Sequence, residues 1–320
     1  MKRAAKILLF CAALVSSPGW ADYPERAVKI IVPYPAGQTT DVIARTVGQQ
    51  LTESLGQSFF VDNRSGAGGI IGMEAAKRAD ADGYTLSMSA SGPMAINPAL
   101  YTTLRYDPIR DFTPIAKVAI IPLFLVVRAD FPAANLKELI EYVKKNPGTL
   151  NYGSGGTGLT NHLTMEMFKS QAGLNLMHIP YRGAATALTA LIAGDISMMF
   201  EAGPAIMPHV QSGALKVIAV GTKGGTKTFP DVPSVDQAGV PGFDAQAWIV
   251  LVAPAGTPAP VVTRLNKSMQ DILKSPALQK NLAALGAETV QSTPEETTAF
   301  MKREITSWGE AVKTANVKLD

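Results

Sequence analysis

Chemistry needs side chains that move protons, attack or coordinate, and this chain is poor in them. Its histidines, His162, His178 and His209, fall in no metal-ligand spacing such as H-E-x-x-H, which predicts no metal site. Its one cysteine, Cys11, lies in an N-terminal stretch that reads as removed, so cysteine catalysis is excluded from the remainder. No G-x-S-x-G nucleophile elbow occurs. An enzyme of hydrolase type is left with scattered candidates such as Glu201 with His162.

One stretch carries a ligand signature. Gly153-Ser154-Gly155-Gly156-Thr157-Gly158 satisfies G-x-G-x-x-G, and Gly153 to Thr160 nearly matches a phosphate-binding loop. A dinucleotide site wants an acidic residue about 20 positions later, on the next strand. His178, Pro180 and Tyr181 stand there instead, and Leu159 occupies the position of the phosphate-gripping lysine. Nucleotide binding is disfavoured and no cofactor is expected. What survives is the physical content of the loop, backbone N–H groups at a helix start that can receive an anion.

The elements that must position this loop alternate. Strands are predicted at 29–32, 58–61, 84–88, 120–127, 150–152, 177–179, 197–200, 217–220 and 248–253. Helices are predicted at 40–55, through Ala76, and at 136–145, 160–171, 260–274, 276–285 and 294–315. Ile43, Val47, Leu51 and Leu55 form one apolar stripe, with Gly56 as its stop. Such alternation implies parallel sheets covered by helices on both faces. The run 32–41 and the run 150–160, roughly 120 residues apart, are both strand, glycine-containing loop and helix. Ligands in open α/β sheets sit at the carboxyl ends of strands, so two such loops can face each other across a cleft.

Residues 1–21 read as an export signal: Lys2, Arg3 and Lys6 lead, an apolar run from Ile7 to Val15 follows, and Gly19-Trp20-Ala21 closes it. That run is far shorter than the ~20 apolar residues a bilayer span needs. Removing it takes three cations from 29 Lys+Arg against 26 Asp+Glu, so the remaining chain is formally neutral. Neutrality without a basic stripe excludes a phosphate-backbone partner, and no nucleic acid is expected. Apolar residues make 47% and charged ones 17%, which is globular rather than disordered composition. A soluble periplasmic monomer is expected.

Many short pieces then add up. They begin with Val32-Pro33-Tyr34-Pro35-Ala36-Gly37 with Asp41 and Arg45, Asn97-Pro98-Ala99-Leu100-Tyr101, Tyr106-Asp107-Pro108 and Asp111-Phe112. Asn146-Pro147-Gly148, Asn151-Tyr152-Gly153-Ser154-Gly155, His162-Leu163 and Pro180-Tyr181-Arg182-Gly183 follow. Pro230-Asp231-Val232-Pro233 with Gly239, and Ala253-Pro254-Ala255-Gly256-Thr257-Pro258, complete them. In order and spacing the chain resembles the Bug (TctC-like) substrate-binding proteins of tripartite tricarboxylate transporters, over nearly its whole length after the signal.

The resemblance implies an α/β, two-lobed periplasmic binding protein fold of type II, each lobe a mostly parallel sheet flanked by helices. It implies a first lobe from 22–123 and 246–320, a second from 124–245, and strand crossings near Phe124 and Gln246. It also implies a receptor that holds a small carboxylate between lobes, largely by main-chain amides, and passes it to membrane permease subunits. A sensor handing a liganded shape to a membrane partner uses the same closure.

Carried over residue by residue, the implied ligand-binding positions are Tyr34, Ala36, Gly37, Gln38 and Thr39 in the first loop. Ser154, Gly155, Gly156 and Thr157 with His162 form the second, Arg182, Gly183 and Ala184 the third, and Glu201 lines the cleft. Gln38 replaces a usual second glycine and Glu201 a usual aspartate. Each has a plainer reading as well. Tyr34 can pack behind its loop, His162 can serve a helix start, and Arg182 can be a solvated loop residue rather than a two-bond carboxylate grip. Asp41 reads as structural, one turn before Arg45. Met165, Met167, Met198 and Met199 read as core filling.

Overall fold

A β-branched run ended by proline makes the first strand, Val28–Val32 (β1), and Pro33 cannot continue a central ladder. The computed structural model describes residues 23–319, so the expected export signal over 1–21, with Cys11, lies outside the described residues. Helix α1 (Thr39–Leu55) buries Ile43, Val47 and Leu51 and stops at left-handed Gly56. Then come β2 (Phe59–Asn63), α2 (Ile70–Lys77), β3 (Thr85–Ala90) and a π-helical turn (Gly92–Ile96) that runs on into α3 (Asn97–Leu100). The chain next enters β4, Phe112–Arg128, which is 17 residues long.

After β4 come α4 (Leu136–Lys145), β5 (Asn151–Ser154), α5 (Thr160–Ala172), β6 (Met177–Pro180), α6 (Ala184–Ala193) and β7 (Met198–Ala202). The alternation goes on with α7 (Gly203–Gln211), β8 (Leu215–Val220) and β9 (Gln246–Pro254). The end is helical: α8 (Ala259–Leu273), α9 (Pro276–Ala284), a short β10 (Glu288–Thr289) and α10 (Pro294–Thr314). Local chemistry starts several of these. The Asn135 side chain accepts the Glu138 amide at 3.0 Å to begin α4. Thr293 and Glu296 form a reciprocal capping box for α10.

The strand order is β2-β1-β3-β9-β4-β7-β5-β6, with β8 and β10 also on β4. The first part of β4 pairs antiparallel with β9, from Phe112 opposite Pro254 to Pro122 opposite Gln246. From Leu123 onward the same strand pairs with β7, and from Phe124 with β8. Thus β4 leaves one group of strands for the other between Pro122 and Leu123. β1, β2 and β3 run parallel to one another, as do β5, β6 and β7, and the crossing strands supply the antiparallel pairs. The result is two α/β lobes. One core joins Val28, Ile30, Val47 and Leu51 to Val261 and Leu265 of α8. Another joins Leu188 and Leu191 to Val220 and Ile206. Met165, Met167 and Met198 fill a third, which runs along both lobes, and Met199 fills the second.

Helix α10 lies against α3 and the π turn on one side and α5 on the other. Its Glu304 accepts Trp248 Nε1 at 2.6 Å and Trp308 Nε1 at 3.0 Å. Burial pushes this carboxyl up from 4.5 to about 7, the two indoles and Lys117 pulling the other way and Asp244 adding to the rise. Between those values the folded chain holds a proton that the unfolded chain has released, so stability falls as pH rises through the window. Glu304→Gln keeps an indole acceptor without the titration. The stability difference between variant and parent is expected to shift by roughly 2–3 kcal/mol in the variant's favour from pH 5 to pH 8, read by urea denaturation. A difference independent of pH sinks the assignment.

Candidate functional site

Where strands end and helices begin, the two lobes enclose a cavity of about 840 Å³. One lobe contributes Tyr34, Gln38, Thr39 and Thr40 from the turn between β1 and α1. The other contributes Thr157, Thr160 and Asn161 before and at the start of α5, Ala184 at the start of α6, and Glu201 on β7. Ile121 and Leu123 of β4 and Ala247 of β9 form the wall at the crossing.

The first turn is organised from behind by Asp41, which is 2% exposed. Its Oδ2 accepts the Gly37 amide at 2.8 Å and Arg45 Nε at 3.1 Å, and its Oδ1 accepts Asn63 Nδ2 at 2.8 Å. Asn63 Nδ2 also donates to the Tyr34 carbonyl at 3.0 Å. Burial alone would raise the Asp41 carboxyl; Arg45, the Gly37 amide and Asn63 outweigh it and hold it below its ordinary range. Gly37 sits at φ 85°, a left-handed position suited to glycine. Gln38 occupies the N-cap of α1 without a side-chain bond to the first turn. The Tyr34 phenol is pushed up by burial and then by Tyr106, so it stays a protonated donor.

On the facing lobe, the second and third turns touch. A Cβ at Gly155 would stand 2.9 Å from the Ala184 nitrogen, and the Gly183 amide donates to the Gly155 carbonyl at 2.9 Å. Ser154 is fully buried, with its Oγ 2.7 Å from His178 Nε2. His162 Nδ1 accepts the Gly158 amide at 3.1 Å, and its ring stacks on His178 at 4.0 Å. Burial lowers His162 to about 4, with His178 next, so the ring is neutral near pH 7 and works as an acceptor for the turn. Leu159 before α5 and Gly183 before α6 make no side-chain cap either. Three helix starts around one cavity therefore have N-cap residues that make no side-chain cap, each with the positive end of a helix dipole, although in α5 the Asn161 side chain takes the His162 amide.

Of the residues singled out from sequence, Tyr34, Gly37, Gln38, Thr39, Thr157, Ala184 and Glu201 stand on the cavity wall. Ala36, Ser154, Gly155, Gly156, His162, Arg182 and Gly183 are not on it. Gly37 is on the wall, yet Asp41 takes its amide. Ser154 and His162 are spent on holding their own turn, and Arg182 is exposed on the β6–α6 loop. Sequence reasoning missed Ser65, Gly66, Gly68, Gly69, Ser91, Asn97, Tyr101 and Leu319 on the wall. Gly66, Gly68 and Gly69 between β2 and α2 were a readable signal, being a third strand, glycine loop and helix.

Among the described residues, no lysine, arginine or histidine stands on this wall, and Glu201 is its one carboxyl. Among the described residues, no group of His, Cys, Asp and Glu could hold a metal ion. No described helix is long and apolar enough to cross a membrane. Such a cavity can grip an anion by amides and hydroxyls.

Two α/β lobes joined through β4, with helix starts around a shared cavity, define a solute-binding receptor. The Tripartite tricarboxylate transporter family receptor model matches residues 43–317, and the chain belongs to that family. Protein BugT of Bordetella pertussis is 35% identical over 98% of this chain and 96% of its own length. An R. palustris protein solved with adipate is 35% identical, covers 93% of this chain and 99% of its own, and superposes with a TM-score of 0.77. MatC from Rhodopseudomonas palustris, solved with malate, is 31% identical, covers 91% of this chain and 100% of its own, and has a TM-score of 0.72. The family is one of periplasmic solute receptors, not enzymes.

Proposed function

We propose that this chain receives a small organic acid and delivers it, chemically unchanged, to membrane permease subunits. It works as an exported monomer without cofactor or metal, its signal being residues 1–21. The carboxylate lies between the start of α1 in one lobe, 22–123 with 246–320, and the starts of α5 and α6 in the other, 124–245. Gln38, Thr39, Thr157 and Ala184 stand nearest, with Tyr34 as a phenol donor. The observation that carries this reading is the trio of helix starts whose N-cap residues make no side-chain cap, on a wall that has no cationic side chain among the described residues. Relatives solved with adipate and with malate support the carboxylate class.

Magnitudes then require closure. Four hydrogen bonds to a charged carboxylate contribute about 6–12 kcal/mol at ~1.5–3 each. Association opposes them with about 4–15 kcal/mol of lost freedom and ordering. A single clamp is marginal, so the lobes must close about the hinge, expel water and add contacts to the rest of the molecule.

Thermal unfolding of the purified protein against mono-, di- and aromatic acids tests this. A true ligand at a hundredfold excess over Kd stabilises by about 2.7 kcal/mol, with compaction in X-ray scattering. If none of the acids raises the transition, or the acid that does is recovered altered, the proposal is wrong.

A further inference from the structure

The segment after α10 lies along the border of the two lobes. Ala315 caps the helix, and Asn316 follows at φ 50°, a left-handed position that asparagine tolerates better than most side chains. The Asn316 amide donates to the Lys313 carbonyl at 3.1 Å and the Val317 amide to the Val312 carbonyl at 3.3 Å, so the chain turns off the helix axis. The residues then alternate. Ala315, Val317 and Leu319 pack on the core that runs along both lobes, whereas Asn316 and Lys318 are exposed. A period of two is that of an extended strand, and Leu319 forms a parallel bridge with Tyr101.

Leu319 is held by one lobe and touches the other. Its amide donates to the Leu100 carbonyl at 2.8 Å, at the end of α3. Its side chain and that of Leu100 lie against Gly158 of the facing lobe. A Cβ on Gly158 would stand 3.4 Å from Leu319 Cδ1 and 3.1 Å from Leu100 Cδ1. Gly158 has no side chain to swing aside, and its amide is fixed on His162 Nδ1 at 3.1 Å, so the two leucines meet held backbone. Such a contact is short-ranged: a gap of about 0.5–1 Å forfeits a quarter to a half of it. It therefore exists only near the lobe separation of this structure. Gly158 leads directly into Leu159, the N-cap of α5, and both stand on the cavity wall.

We infer that residues 316–319 are a strap that holds the two lobes at this separation, and that Leu319 is a positioning residue acting through the Gly158 turn on the start of α5. A receptor that holds its binding-competent shape for only a fraction of the time loses apparent affinity by that fraction, equally for every ligand. Leu319 also stands on the cavity wall, so direct contact with the ligand is the rival account. That account makes the loss depend on the length of the acid.

Spin labels on Ser54→Cys of α1 and Lys144→Cys of α4, both exposed and one in each lobe, read the separation with no ligand present. Cys11→Ser in the same chain leaves no other thiol. Leu319→Ala and Asn316→Val are expected to shift and broaden the distance distribution measured by double electron–electron resonance. Leu319→Met and Asn316→Gly should keep that of the parent, because methionine refills the contact and glycine suits the left-handed turn. Asn316 is exposed and off the cavity wall, so its effect reaches the lobes through the strap. Calorimetry with succinate, adipate and hexanoate rests on the carboxylate reading above. Each acid that the parent binds should bind Leu319→Ala about tenfold more weakly, by one common factor. Circular dichroism checks that each variant is folded. Distances unchanged in both Leu319→Ala and Asn316→Val overturn the strap. A loss confined to the longer acids also overturns it and makes Leu319 a ligand contact. Failure of every acid to bind the parent overturns the carboxylate reading alone, and the distances still decide the strap.

Discussion

Replacing Gly221 by alanine is expected to cost about 3 kcal/mol of stability and to weaken binding of whichever acid the receptor takes. Gly221 directly follows β8 and lies between Leu123 of β4 and Ala245, the residue before β9. Its amide donates to the Leu123 carbonyl at 2.8 Å, and its carbonyl accepts the Ala245 amide at 3.0 Å. One residue thus ties the crossing point of β4 to the residue before β9. A Cβ there would stand 2.5 Å from the Ala245 oxygen and 3.4 Å from the Leu123 oxygen. Both obstacles are backbone, so no side-chain rotation relieves the clash; the two crossing segments must spread. Spreading stretches both hydrogen bonds and alters the angle about which the lobes close.

Gly224→Ala separates sterics from backbone conformation. Gly224 has φ 80° and open space at its Cβ position, so alanine there meets only the left-handed penalty of about 1–2 kcal/mol. Urea midpoints for both variants, with calorimetry on the same samples, give the comparison. A Gly221→Ala protein as stable as its parent would falsify the clamp. A loss equal to that of Gly224→Ala would remove its steric cause.

How much of this was legible depends on the range of the forces that decide each feature. Helix α4 was readable to its ends because Leu136, Leu139 and Val143 repeat at helical spacing and the signals at Asn135 and Asn146 are local. The first half of β4 was not readable. Pro114 and Lys117 interrupt its apolar run, and what makes it a strand is pairing with β9, more than a hundred residues away. Asp41 was readable as structural from its spacing to Arg45, whereas its bond to Asn63 needed the fold. His162 was readable as serving a helix start, though its partner proved to be the Gly158 amide in the preceding turn. Leu319 had no local signal at all. It reaches the cavity because its amide donates to the Leu100 carbonyl at 2.8 Å across the whole chain. Arg182 shows the limit for charges, since sequence offers a two-bond grip and only the fold decides whether the side chain faces the cavity.

The second large effect follows from Asp41. Asp41→Ala is expected to lose about 2–4 kcal/mol of stability and at least tenfold in affinity for the acid. Three donors converge on this carboxylate: the Gly37 amide, Asn63 Nδ2 and the Arg45 guanidinium. Alanine removes the charged acceptor from the Gly37 amide and from Asn63 Nδ2, which keeps only the Tyr34 carbonyl, and each hydrogen bond to a charged group is worth about 1.5–3 kcal/mol. Arg45 is half exposed and returns to water, which keeps the loss below that of a fully buried pair. Affinity falls because the same three bonds set the turn that presents Gln38, Thr39 and Thr40 to the cavity. Asp41→Asn keeps one acceptor oxygen and should lie between parent and alanine. The pH dependence has a definite sign. The folded carboxyl is held below its unfolded value, so its contribution is present above the unfolded value and lost as pH falls. The stability gap between parent and Asp41→Asn should therefore stay nearly constant from pH 7 to about pH 4 and narrow as pH falls below the unfolded value of 3.8, and a gap that widens on acidification would show that the Asp41 charge does not hold this turn.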